Sequence, residues 1–178
     1  MRIALTGTHG AGKTTLARAL AEKLDLPLIT DRARSAAQEL GINHAGELRE
    51  DRQKAMLFQY AVLVRQLAEE ARRPAGFVSD RSTLDFLAYW QAYGLPANPA
   101  YEKLCLGNRY GLLVYVPAEF PPEEDGFRDP DPAFQREVDR RIRELLPFVP
   151  WPVVRVSGPV KDRLRCISRE IEARWKRV

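Results

Sequence analysis

Residues 7–14 read Gly7-Thr8-His9-Gly10-Ala11-Gly12-Lys13-Thr14 and fill the pattern GxxxxGK[ST]. Upstream, Arg2 to Thr6 reads as a short buried strand. Downstream, Lys13 to Leu24 carries Leu16, Leu20 and Leu24 at a spacing of four, which predicts a helix with one apolar face. A glycine-rich turn between strand and helix lets backbone N–H groups converge on phosphate oxygens. Side chains must be missing where that backbone curls, and Gly7, Gly10 and Gly12 meet the need. The helix that follows points its positive end at the anion. Lys13 supplies a cation for the β and γ phosphates, and the Thr14 hydroxyl suits a magnesium ion. The loop is therefore expected to hold ATP with Mg²⁺ through Thr8, His9, Gly10, Ala11, Gly12, Lys13, Thr14 and Thr15. His9 is given no role beyond lining the site. The alternative, a glycine-rich turn without ligand, fits the strand–turn–helix context poorly.

Outward from the loop, short apolar runs alternate with helical patterns. Pro27–Thr30, Gly76–Ser79, Leu112–Val116 and Val153–Val156 read as further strands. Leu48 to Arg73 reads as one long helix carrying Leu57, Ala61, Val64, Leu67 and Ala71. Ser82 to Tyr93 is helical, with Ser82 and Asp85 spaced as a capping box, and Gly94 and Pro96 end it. A helix from about Val160 closes the chain. Alternation of this kind predicts parallel βαβ units in a three-layer α/β fold, with a five-stranded parallel sheet flanked by helices. The length of 178 residues predicts a single domain, 1–178. Pro117 to Pro132 breaks the rhythm. It holds five prolines and six acidic residues and leads into a charged helix, Ala133 to Leu146. A long irregular stretch between strands four and five is expected to serve as a lid, about 117–147.

Composition narrows the partners. A net charge of +4 without one long basic run suits an anionic small molecule and does not single out nucleic acid. The basic stretch Lys161 to Arg177 reads as the solvated face of the last helix, and it lacks interleaved aromatics apart from Trp175. Two distant cysteines and two histidines speak against zinc and fit a reducing cytosol, so a cytoplasmic protein is expected. No apolar run has the length of a membrane span. A homodimer is left open.

The third strand runs straight into Asp80-Arg81-Ser82. Ligands gather at the carboxyl ends of strands in an open parallel sheet, so Asp80 is expected near the loop as a magnesium ligand with Thr14. Arg81 is placed to clamp a phosphate or substrate oxygen. The competing reading makes Asp80 and Ser82 helix-capping groups. No guanine-reading NKxD and no LSGGQ signature is present.

The Asp-Arg-Ser stretch resembles the DRS/ERS motif of deoxynucleoside kinases and, more loosely, the DRY/DRF motif of thymidylate kinases. The chain is more closely similar to the NadR-like group of P-loop ATPases, which includes a nicotinamide riboside kinase domain. The resemblance rests on GTHGAGKTT (7–15), DRSTLDFLAY (80–89) and Asp125-Gly126-Phe127-Arg128, in that order. It implies a general base after the second strand, here Asp31, with Arg34 three residues on. Asp31 equally reads as a helix N-cap. Phe58-Gln59 resembles the pair with which deoxynucleoside kinases read a base; Gln59 equally reads as a surface glutamine. The lid resemblance gives Arg128 first, then Arg136 and Arg140, as the arginine that closes over the γ-phosphate.

Together these features predict an ATP-dependent kinase acting on a nucleoside- or nucleotide-like small molecule. Lys13, Asp31 and Arg128 would be catalytic, and Arg34, Gln59, Arg81 and Asp85 would line the acceptor pocket. The rival is a nucleotide-dependent ATPase or switch that acts through a protein partner.

Overall fold

The computed structural model describes residues 1–107, 110–119 and 131–175. Five strands form one sheet: β1 (Arg2–Thr6), β2 (Leu28–Ile29), β3 (Phe77–Ser79), β4 (Leu112–Tyr115) and β5 (Val153–Arg155). All pair in parallel, in the order β2-β3-β1-β4-β5. β1 is central, with Ile3 opposite both Val78 and Leu112. It is buried on both faces, as its unbroken apolar run requires. The chain works outward from β1 to β2, returns through β3, and then crosses to β4. Connections therefore diverge at the carboxyl end of β1 and leave a crevice there.

Side-chain alternation splits the core in two. Ile3 and Leu5 face a layer made by α1 (Lys13–Leu24) and, later in the chain, α8 (Val160–Trp175), whose Leu16, Leu20, Ile167 and Ile171 pack there. Ala4 and Leu113 face the other way. That layer holds α5 (Thr83–Ala92) and α7 (Pro132–Leu145), with α4 (Arg52–Ala71) and α6 (Pro99–Gly107) packed beside them. The small helices α2 (Ala33–Glu39) and α3 (Glu47–Glu50) lie against α4. The three-layer architecture is the expected one.

Three details differ from the sequence reading. The long helix breaks at Asp51, whose extended backbone and carboxylate cap α4 by accepting from Gln53 N and Lys54 N at 2.9 and 3.0 Å. The face of α4 is also shifted. Leu57 and Val64 are exposed, while Phe58, Gln59, Val62, Leu63, Gln66 and Glu70 are buried. Three polar residues share that face because two of them find partners: Gln66 Nε2 donates to Glu70 and to Ser79 Oγ at 2.7 and 2.8 Å. Helix α6, which begins on a proline, has no counterpart among the predicted elements.

Candidate active site

The loop after β1 curls through two demanding points. Gly7 sits so close to β4 that a Cβ would lie 2.3 Å from the Val116 carbonyl oxygen. Gly12, at φ 83°, turns the chain into α1 from the left-handed region. Side chains from three helices tie the loop down. The buried Asp85 carboxylate of α5 accepts from Gly7 N at 2.9 Å and from the Ser82 amide and hydroxyl at 2.7 Å each. Tyr89 Oη bonds to His9 N at 3.1 Å and to His9 Nδ1 at 2.8 Å. Gln135 of α7 donates to His9 O, and Arg163 of α8 donates to Ala11 O, both at 3.0 Å.

A cavity of about 250 Å³ lies over the loop. It is lined by His9, Gly10–Thr15, Asp31, Asp80 and Arg81. The loop follows β1, Asp31 follows β2, and Asp80 follows β3, so three neighbouring strand ends deliver the set. Lys13 Nζ donates to Thr8 O at 2.7 Å. Burial, with the like charge of Arg81 second, brings the Lys13 ammonium down to about 8. Thr14 Oγ1 donates to Asp80 Oδ2 at 2.7 Å. Asp80 Oδ1 is buried and has no hydrogen-bond partner among the described residues. Burial raises the Asp80 carboxyl above its usual range. A hydroxyl beside an unsatisfied carboxylate oxygen, facing a polar cavity, is a donor set that fits a hard divalent cation.

Asp31 is doubly engaged. Its Oδ2 pairs with Arg81 Nε at 2.7 Å, and its Oδ1 accepts from Ala33 N at 2.8 Å. Burial pushes its carboxyl up, but the Arg81 charge and these hydrogen bonds outweigh that and hold it below its usual range. The bond to the start of α2, whose N-cap is Arg32 rather than Asp31, and the site contact coexist in one carboxylate. Arg81 also lies over the Tyr89 ring, 5.3 Å from its centroid.

A second cavity, about 60 Å³, opens on the other side of His9 and Arg81, which line both. Its walls are otherwise apolar and aromatic: Phe58 and Val62 of α4, Phe86 and Tyr89 of α5, Tyr93, and Phe134 of α7. Phe134 stacks on His9. Gln59 supplies a polar point, with a buried Oε1 that has no partner among the described residues.

The structure thus brings Lys13, Thr14, Asp31, Asp80 and Arg81 around one cavity and Arg81 and Gln59 around the next. Gln59 is buried rather than a surface glutamine. Asp85 lines neither cavity; its oxygens hold the loop and the start of α5. Arg34 is exposed on α2 and also stands outside both linings. Arg136 is exposed, and Arg140 is exposed and paired with Glu137 and Glu144. Arg128 lies outside the described residues. Arg163, assigned by its sequence to a solvated helix face, is 3% exposed. Tyr89, Phe134, Gln135 and Arg163 carry no site reading in sequence, because nothing in an aromatic or charged helix announces which turn meets a distant loop.

A glycine loop closed by GKTT after the central strand of a parallel sheet, with Asp-Arg at the next strand end, defines a P-loop NTPase of kinase-like architecture. The chain belongs to the AAA domain family, whose model matches residues 2–163. Comparison with curated proteins finds no match. Among solved structures it is similar to deoxyadenosine kinase from M. mycoides with the products dCMP and a flexible dCDP bound. That likeness has a TM-score of 0.70 at 14% identity and covers 97% of this chain and 100% of that one. It is also similar to NadR in complex with NAD and AMP-PNP, with a TM-score of 0.68 at 21% identity. The match covers 97% of this chain and 48% of NadR, so the chain spans about half of that protein. Among the described residues, no helix is long and apolar enough to cross a membrane.

Proposed function

We propose that the protein is an ATP-dependent kinase that transfers the γ-phosphate to a hydroxyl of a nucleoside-like small molecule. The observation that carries this reading is the pair of cavities meeting at His9 and Arg81, one polar and backbone-lined, the other aromatic. A switch or simple ATPase needs only the first. The two neighbours, deoxyadenosine kinase with dCMP and dCDP and NadR with NAD and AMP-PNP, lend the reading support by their fold.

Each residue has a task suited to its chemistry. Lys13, whose ammonium donates one N–H to the Thr8 carbonyl, turns its others to the phosphates, and the loop amides bind their oxygens. Thr14 and Asp80 would hold Mg²⁺, which supplies charge neutralisation when bound. Asp31 accepts the proton of the attacking hydroxyl, and Arg81 orients that carboxylate and steadies the charge that develops beside it. Among the described residues, Arg81 is the only charged one lining the aromatic cavity, and Asp31 already balances it. That lining favours an acceptor without a phosphate of its own. Gln59, with an unmet carbonyl oxygen, favours an acceptor that presents an N–H group. Arg128 enters through the family resemblance alone.

The test is direct. The protein is incubated with γ-labelled ATP, Mg²⁺ and a panel of nucleosides, nucleoside monophosphates and nicotinamide riboside, and label transfer is followed. Transfer to nucleosides above monophosphates is expected. Transfer to none of them, with ATP turnover stimulated by a protein partner, would replace the kinase reading by the switch.

A further inference from the structure

A phosphate loop offers its N–H groups to an anion only when the intervening carbonyl oxygens point away. Each turned-out carbonyl then needs a donor where it lands. Three of them have one. Thr8 O accepts from Lys13 Nζ at 2.7 Å, His9 O from Gln135 Nε2 at 3.0 Å, and Ala11 O from Arg163 Nη1 at 3.0 Å. The last two donors arrive from opposite faces of the sheet, on α7 and α8, and both residues are 3% exposed. Arg163 is itself fixed, by Gly158 O at 2.7 Å and Glu119 at 2.9 Å.

Every peptide here is trans, so a carbonyl turned outward aims the next residue's N–H inward. The His9 carbonyl thereby sets the Gly10 amide, and the Ala11 carbonyl sets the Gly12 amide. Both glycines have positive φ, 74° and 83°, and both line the polar cavity. Peptides beside glycine rotate at little steric cost, so the loop backbone does not hold these planes unaided.

We infer that Gln135 and Arg163 are positioning residues of the anion site: they fix the His9–Gly10 and Ala11–Gly12 peptide planes with their N–H groups toward the phosphates. The inference rests on the proposed triphosphate binding. It assigns a function to Gln135 in the first turn of α7, a helix that the sequence reads only as part of a lid with Arg136 and Arg140 as its arginines.

Calorimetry with inorganic tripolyphosphate and with Mg·ATP tests it, alongside amide NMR of Gly10. Gln135→Leu removes the donor at similar volume. Gln135→Glu keeps the shape but replaces the donor by an acceptor, and it serves if the leucine variant does not fold. Arg143→Ala, on the exposed face of α7, is the control. The expected result is about tenfold weaker binding of both probes by either Gln135 variant, the loss of one well-placed hydrogen bond. The Gly10 amide should also shift less on tripolyphosphate addition than in wild type, which a merely stabilising side chain would not cause. Folded Gln135 variants that bind within twofold of wild type, with the same Gly10 shift, overturn the inference. A wild-type protein that binds neither probe removes the parent reading and this one with it, and that result appears before any variant is made.

Discussion

The two cavities that meet at His9 and Arg81 recognise by different means. The larger, about 250 Å³, is lined mainly by one unbroken run of chain, Gly10 to Thr15. The smaller, about 60 Å³, is assembled from side chains of α2, α4 and α5, of α7, and of the loops between. Backbone amides on a curled loop suit any phosphate, so the first cavity reads charge and says little about the rest of the ligand. Aromatic walls with one carbonyl unmet among the described residues suit shape and one hydrogen bond, so the second is built to select. It is also smaller than ligand pockets ordinarily are, so an acceptor could enter only if its walls parted. On the proposed reading, generic donor binding and specific acceptor binding would be divided between two kinds of construction.

Substitutions can break that division. The largest effect is expected at the cation of the phosphate loop. Lys13→Ala should lower phosphate transfer by about a thousandfold and weaken Mg·ATP binding in calorimetry, because a cation on the transferred group is lost. Unchanged ATP affinity would show that the loop does not hold the triphosphate. Asp31→Asn comes next. A carboxamide is a poor proton acceptor, so kcat should fall by about a hundredfold while ATP affinity stays within about threefold. A parallel loss of ATP affinity would mean that Asp31 acts through Arg81 and the loop, not at the acceptor. Gln59→Leu should raise the acceptor KM by about tenfold and leave the KM for ATP alone. It should not lower the thermal midpoint, since it removes a buried carbonyl that has no partner among the described residues. A matched rise in both KM values would merge the two cavities into one functional unit.

The same contrast explains what could be read from the sequence. The donor side is legible because its residues are contiguous and its glycines are dictated by local geometry, as at Gly7 and Gly12. Asp31 is reached only through the family resemblance, whereas Asp80 is legible because ligands gather at the carboxyl ends of strands in a parallel sheet. The face of α4 is not, since Leu57 and Val64 are as apolar as Val62 and Leu63, and only tertiary packing chooses between the stripes. Asp85 reads as a capping acid, and it is one. Its second bond, to Gly7 N across 78 positions of sequence, has no local signature. Arg163 is hidden for a similar reason: in a helix of many arginines, burial is decided by which turn passes Ala11 O and Glu119.

The smallest expected effect concerns Lys13 alone and sharpens the donor side. In the unliganded protein its ammonium titrates at about 8, down from 10.5, because burial disfavours the charge and Arg81 repels it. The unfolded chain therefore binds more protons than the folded one between about 8 and 10.5. On this account stability gains from Lys13 as pH rises through that window, and the cost of the buried charge is present in full below it. A triphosphate reverses the local field. Its negative charge favours the ammonium and lifts the Lys13 pKa back up, so binding at pH 8 takes up a proton that the free protein half lacks. Calorimetry of ATP binding at pH 8 in two buffers of different ionisation enthalpy should give an uptake of about half a proton, fading toward zero at pH 6.5, where Lys13 is already charged. Lys13→Arg, which stays protonated throughout, should abolish the pH 8 uptake. Uptake that persists in the arginine variant would assign the proton to another group and leave Lys13 charged from the start.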